Sequence, residues 1–405
     1  MLKQRVGDRP LIYFDSAATA LKPQAVIDAI SNFYTSEYAT VHRSVYHFAT
    51  QATARYSQVR EKVQRFLNAA SSDEILFTRG TTEAINLVAN SFTKAFLNPG
   101  DEILISQMEH HSNIVPWQLV SEERGFHLKS IPINEKGELL LEEFEKLLTP
   151  KTKLVAITHI SNAIGTRNPI EEMIAIAHRK GAKVLIDGAQ SAAHLQIDVQ
   201  ALDADFFAFS GHKAFGPTGI GVLYGKRELL EKMPPYQGGG DMIERVTLEK
   251  THFQPPPLRF EAGTPSIAEV IGLGEALDYI ERLGRSKIAE WEDSLLSYAT
   301  EALLRIEGIR IIGTAKEKGP IISFIAEGAH PLDIGTLLDL RGIAVRTGHH
   351  CAQPLMQRFN ISGTTRLSFA PYNSFEEIDH FIETLEEVVS ICAHQISNSK
   401  PKKQH

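Results

Sequence analysis

The sequence predicts an α/β protein: a large domain on a mostly parallel sheet flanked by helices, followed by a smaller α+β domain. Three observations predict it. Short apolar runs alternate with longer helical patterns through the middle of the chain, the order that builds a parallel sheet. Polar residues gather just after successive apolar runs, as at the carboxyl edge of an open sheet. From about residue 280 the alternation gives way to a smaller unit that ends in a long amphipathic helix. The expected division is residues 14–279 for the large domain and 280–405, joined by 1–13, for the smaller one.

The expected strands are Glu102–Ser106, Lys153–Thr158, Lys183–Ile186 and Asp205–Phe209. Between them Pro169–Lys180 reads as a helix with Gly181 as its C-terminal stop, and Thr81–Phe92 as a second helix. Pro255-Pro256-Pro257 reads as an extended surface segment, and Ala268–Leu283 as a helix after it. The last helix, about Phe375 to Ile396, places Ile378, Phe381, Leu385, Val388 and Cys392 on one stripe, which makes Cys392 a core residue. The polar tail from His394 to His405 is expected to fray.

A chain of 405 residues with 43% hydrophobic and 22% charged residues has an ordinary soluble composition and room for two cores. A formal net charge of -7 offers no general attraction for nucleic acid or an anionic membrane. No apolar stretch reaches the roughly 18 residues of a membrane span, and the charged N-terminus lacks a secretory core. With 2 cysteines, a disulfide framework is not expected; the composition fits a reducing, cytoplasmic setting.

Lys213 stands in Ser210-Gly211-His212-Lys213, directly after an apolar run. A lysine that condenses with a carbonyl must lose its proton, which desolvation and nearby cations favour. Ser210 and His212 offer donors for a phosphate. Asp187 ends the run Val184-Leu185-Ile186 and can pair with a protonated pyridine nitrogen, so with Lys213 it fits pyridoxal 5'-phosphate (PLP), held as a Schiff base. Gly80-Thr81-Thr82 opens a helix whose free N–H groups suit the same phosphate, although plain capping explains it equally. Glu109-His110-His111 lacks the spacing of a zinc protease; His110 is a candidate to stack on a flat cofactor, or a packed loop histidine.

Thr347-Gly348-His349-His350-Cys351 is the other chemistry-bearing segment, and Gly348 suggests a mobile loop. A metal site would need a second pair of ligands, so a nucleophilic cysteine is the better reading. Magnitude limits what it can do alone. A free thiol of pKa about 8.5 is already a few per cent thiolate at neutral pH, so full activation gains at most roughly 30-fold, about 2 kcal/mol. Cys351 therefore needs a substrate made electrophilic by something else. Arg366, beside a short apolar run, has the planar fork that binds a carboxylate.

Taken together, RGTTE (Arg79–Glu83), QMEHHSNIVPW (Gln107–Trp117), SNAIGT (Ser161–Thr166), DGAQS (Asp187–Ser191), SGHKAFGPTGIG (Ser210–Gly221), FEAGTP (Phe260–Pro265) and RTGHHCAQP (Arg346–Pro354) resemble the group II (SufS-type) cysteine desulfurases and selenocysteine lyases of the class V aminotransferase family. The resemblance implies a fold-type I PLP enzyme that forms a homodimer with sites at the subunit interface. It implies that Lys213 holds PLP, Asp187 pairs with the pyridine nitrogen, His110 stacks on the ring and Gln190 bonds the phenolic oxygen. Thr82, Ser210 and His212 would hold the phosphate, joined by Thr264 of the neighbouring subunit. Asn162 and Arg366 would bind the substrate carboxylate, Arg346 belongs to the cysteine segment, and His42 and Arg43 would line the site.

The implied reaction converts L-cysteine to L-alanine: Lys213 moves the α-proton and Cys351 takes the sulfur as a persulfide. The short segment after Cys351 favours group II, and resemblance to that group implies a SufE- or SufU-like protein as acceptor of the sulfur. Where the family often reads His-Arg-Gly-x-His, this chain has His42-Arg43-Ser44-Val45-Tyr46, which bears on dimer-edge or acceptor contacts. L-selenocysteine is an alternative substrate; a plain aminotransferase and an inactive assembly partner are the other readings.

Overall fold

The computed structural model describes residues 1 and 3–399, and the side chains up to residue 392. Its largest sheet has seven strands: β1 (Ile75–Thr78), β2 (Glu102–Ser106), β3 (His127–Ile131), β4 (Thr152–Thr158), β5 (Lys183–Asp187), β6 (Phe206–Ser210) and β7 (Gly221–Gly225). Their spatial order is β1-β7-β6-β5-β4-β2-β3. The run from β6 to β3 is parallel, and β7 is antiparallel to both β6 and β1.

Side chains alternate faces along a strand, and here both faces are apolar. Val155 and Ile157 of β4 enter one core, Leu154 and Ala156 the other. One face is covered by α1 (His47–Leu67), α2 (Thr81–Phe96) covers the other, and α3 (Ile170–Arg179) and α4 (Ile267–Leu283) join α1. All four strands read from the sequence exist, Glu102–Ser106 with the bounds expected and the other three shifted by one residue at one or both ends. Gly181, at φ +82°, follows α3 as expected.

A second sheet holds β8 (Ile309–Ile312), β9 (Ile321–Ala326), β10 (Arg346–Gly348) and β11 (Thr364–Ser368), antiparallel in the order β8-β9-β11-β10. Helices α5 (Arg285–Leu303) and α6 (Phe375–Ser399) cover it. Ile378, Phe381, Leu385, Val388 and Cys392 of α6 are all buried there, so Cys392 is a core residue. Ile12 and Phe14 pack in the same core, and Ile12–Tyr13 pairs in parallel with Ile343–Ala344. The polar tail beyond Ser399 lies outside the described residues. Among them, no helix is long and apolar enough to cross a membrane.

Two expectations need correction. The triple-proline segment is not an extended surface strip: Pro256 is buried and Pro257 leads into a 3₁₀ turn over Leu258–Phe260. Nor does Gly348 mark a mobile loop. It ends β10 at φ +106°, and a Cβ on the facing Gly363 would lie 2.9 Å from Gly348 backbone atoms. Close backbone approach, not mobility, requires glycines there.

Candidate active site

Because β2, β4, β5 and β6 are parallel neighbours, their carboxyl ends deliver Ser106, Thr158, Asp187 and Ser210 to one edge. A cavity of about 190 Å³ opens there, closed on its far side by β10, β11 and the turn that follows β10. It is lined by eleven residues singled out from the sequence: Lys213, Asp187, Gln190, His110, Thr82, Ser210, His212, Asn162, Arg346, Arg366 and Cys351.

Lys213 ends a 3₁₀ turn, Gly211–Lys213, immediately after β6. Burial pushes its amine down to about 8; Asp187 opposes the shift, and Arg366 and Arg346 assist it. Asp187, the last residue of β5, is raised by burial against the opposing pull of the Ala189 N–H (2.9 Å) and Lys213. A buried carboxylate with one backbone donor and a cation nearby can accept a pyridinium N–H.

At the other end of the cavity Gly80, at φ +152°, turns the chain from β1 into α2. Gly221 lets that turn approach, since a Cβ on it would sit 2.5 Å from Gly80 Cα. The Thr81 N–H donates to Ser210 Oγ (2.9 Å), and the two hydroxyls are 2.8 Å apart. Ser210 is thus a helix cap, and the N–H groups beyond Thr81 are left for an anion.

Ser112, not singled out from the sequence, links two of these groups, His110 and Thr82. Its N–H donates to His110 Nδ1 (3.0 Å), its hydroxyl lies 2.7 Å from the same nitrogen, and Thr82 Oγ1 is 2.9 Å away. Since Nδ1 accepts, the neutral His110 ring carries its proton on Nε2. Burial holds that imidazole down to about 3, with Lys213 adding to the effect. His212 is likewise held at about 4 by burial, Lys213 and Lys22. The one available signal for Ser112 was its spacing of two from His110, a side-chain turn pattern.

Arg366 is buried on β11, opposite Arg346 on β10. It donates from Nη1 to the Asn162 carbonyl (2.8 Å) and from Nη2 to Asp15 (3.0 Å), while its buried Nε has no partner. Burial pushes it down to about 10, so it stays cationic at neutral pH. Asn162 spends an amide proton on the His350 carbonyl (2.7 Å). Gln190 Nε2 donates to the Ala17 carbonyl (2.7 Å).

Cys351 is half-buried at the rim, and both it and His350 are left-handed, at φ +55° and +52°. His350 is buried with Nε2 2.8 Å from Thr364 Oγ1.

The chain does not bring Thr264 or His42 into this cavity. Both are exposed and lie elsewhere, around Tyr56: His42 packs on its ring at 5.4 Å, and Thr264 lines a separate hollow with it. Glu261 fixes that region through a paired contact with Arg60 (2.7 and 2.8 Å) and the Phe77 N–H (2.7 Å). Arg43 pairs with Asp241 at 2.7 Å.

The aminotransferase class-V family matches residues 12–381. The chain belongs to that family. It is 54% identical over 388 residues to a probable cysteine desulfurase of Mycolicibacterium paratuberculosis, covering 96% of this chain but 57% of that protein. It is 50% identical over 389 residues to a cysteine desulfurase of Serratia proteamaculans, covering 96% of each. The apo cysteine desulfurase of Thermococcus onnurineus superposes with a TM-score of 0.91 at 42% identity, over 94% of this chain and 95% of that one. The chain thus spans 57% to 64% of the length of three curated relatives and nearly all of others.

The family is PLP-dependent, and the donor set here fits PLP. Lys213, Asp187, a neutral His110 and the open helix start by Thr82 stand around one cavity. The buried Arg366 cation in the cavity wall suits an incoming carboxylate.

Proposed function

We propose that this chain is a PLP-dependent cysteine desulfurase that converts L-cysteine to L-alanine and keeps the sulfur as a persulfide on Cys351. The observation that carries the reading is one cavity shared by a low-pKa lysine, a buried carboxylate and a rim cysteine. Lys213 would hold the cofactor covalently, Asp187 its ring nitrogen, Gln190 its phenolic oxygen, His110 its face, and Thr82, Ser210 and His212 its phosphate.

When bound, PLP supplies an electron sink that loosens the substrate's carbon–sulfur bond. Arg366, with Asn162 and Arg346, orients the substrate carboxylate. Lys213 Nζ, neutral in a useful fraction at a pKa of about 8, takes the α-proton. His110 offers its Nε2 proton inside the cavity. Cys351 Sγ then bonds the substrate sulfur as the carbon–sulfur bond breaks, and the β-carbon gains the proton that completes alanine. Cysteine plus thiol becomes alanine plus persulfide, so atoms and electrons balance.

The separate location of Thr264 and His42, both exposed, supports a homodimer in which each subunit completes the other's site. A persulfide at the rim supports hand-over to a SufE- or SufU-like acceptor for iron–sulfur cluster and other sulfur biosynthesis. Two unpaired cysteines suit the cytoplasm. Incubation with L-cysteine should release alanine and, with reductant, equal sulfide. Cys351→Ala should keep the bound-cofactor absorbance and lose persulfide formation. Undiminished cysteine turnover in that variant would sink the assignment, and kcat/KM for L-selenocysteine against L-cysteine sets the substrate preference.

A further inference from the structure

His111 has no place in the chemistry above, yet it touches the cysteine segment twice. Its backbone N–H donates to the Cys351 carbonyl at 2.7 Å, and its Nε2 accepts the Gln353 N–H at 3.2 Å. One residue on the large-sheet side therefore holds the cysteine segment at the Cys351 carbonyl and at the amide two positions on. The His111 and His349 rings lie 5.8 Å apart, tilted by 39°, which limits how far either can swing.

What is gripped is strained. Two consecutive residues with Cβ atoms, His350 and Cys351, are in the left-handed region. That conformation persists only where the surroundings over-determine it. Asn162 anchors His350 through its carbonyl, but Cys351 and Gln353 are anchored by His111. To accept from Gln353, Nε2 must be unprotonated; burial and the neighbouring His349 hold His111 below the ordinary imidazole value, which keeps it so at neutral pH.

We propose that His111 is a positioning residue whose Nε2, by accepting the Gln353 amide beside the backbone bond to the Cys351 carbonyl, clamps the thiol in its strained pose over the cavity. The kinetic part rests on the desulfurase reading; the structural part does not. Its test uses the holoenzyme with His111→Ala and with His111→Gln, whose side-chain oxygen can accept the same N–H. Three quantities are read: bound-cofactor absorbance, the rate of Cys351 alkylation by iodoacetamide followed by peptide mass spectrometry, and kcat and KM for alanine release.

In His111→Ala the absorbance stays, alkylation of Cys351 quickens about 5- to 10-fold, and kcat falls about 10-fold with KM within about twofold. His111→Gln returns both rates most of the way to wild type. Alkylation at the wild-type rate in His111→Ala overturns the clamp, as does an unchanged kcat. Loss of cofactor absorbance in both variants would instead place His111 in the cofactor pocket. No rescue by Gln would assign the effect to lost bulk and overturn the hydrogen-bond account. If the wild-type chain released no alanine, the desulfurase reading would fail while the alkylation arm still decided the clamp.

Discussion

Lys213 and Cys351 face one cavity from scaffolds of opposite kinds. Lys213 follows a strand whose sheet is apolar on both faces, and its neighbours Asp187 and Ser210 end the same or the adjacent strand. Cys351 sits on a left-handed turn between antiparallel strands, held by carbonyl and amide contacts from the other side of the cavity. On the lysine side the protein tunes by burial: Lys213, His110 and His212 are all pushed toward their neutral forms. On the cysteine side burial also lowers His350 and Arg366, but Cys351 itself is posed by backbone geometry. Proton transfer needs fixed pKa values, which a rigid sheet edge provides. The sulfur carrier proposed at Cys351 would have to be aimed inward and then present its cargo outward, which suits a segment held by a few breakable contacts.

The largest expected effect separates the two sides. Lys213→Met should cut alanine release by at least about 10³-fold and remove the absorbance of the covalently held cofactor. Alkylation of Cys351 should stay within about twofold of the unmodified chain. A large change in that labelling would show that the lysine side also holds the cysteine turn.

A smaller effect is expected in the reverse direction. Gly363→Ala forces a Cβ to 2.9 Å from Gly348 and must push β10 aside. Urea unfolding should show a loss of about 1–3 kcal/mol, with quicker Cys351 alkylation and the cofactor absorbance retained. Unchanged alkylation would mean that the β10 end does not set the cysteine turn.

The lysine side was far more legible in the sequence, and for a physical reason. Runs such as Val184–Ile186 and Phe206–Phe209 carry their own signal, because the interior of a strand buried on both faces is apolar at successive positions. Once the strands are placed, their carboxyl ends and hence Asp187, Ser210 and Lys213 follow. The cysteine side depends on contacts between residues far apart in the chain. Nothing local announces that Gly348 faces Gly363 rather than loosening a loop, or that His111 meets Gln353. Ser112 fell between the cases: its bond to His110 is local, but its approach to Thr82 needs the fold. Thr264 and His42 were assigned by resemblance alone, and the chain places them around Tyr56, beyond the reach of any pattern within one segment.

The smallest expected effect concerns the protonation of Lys213 itself. In the folded chain its pKa is about 8 against 10.5 when solvated. Below about pH 8 both folded and unfolded chains bind the proton, so the cost of burying the cation is present in full. Between pH 8 and 10.5 the unfolded chain binds more protons than the folded one, and stability rises with pH. The PLP-free Lys213→Met variant should therefore be the more stable protein at pH 7, by about 1 kcal/mol once solvent screening in the open cavity is allowed for. That advantage should fade to nothing by about pH 10.5, as followed by denaturant unfolding across the interval. His111→Ala offers the contrast, since His111 titrates below the ordinary imidazole value and its effect on stability should be flat from pH 8 to 10.5. A flat difference for Lys213→Met as well would mean that the amine is fully solvated, and the lysine side would lose the burial that distinguishes it from the cysteine side.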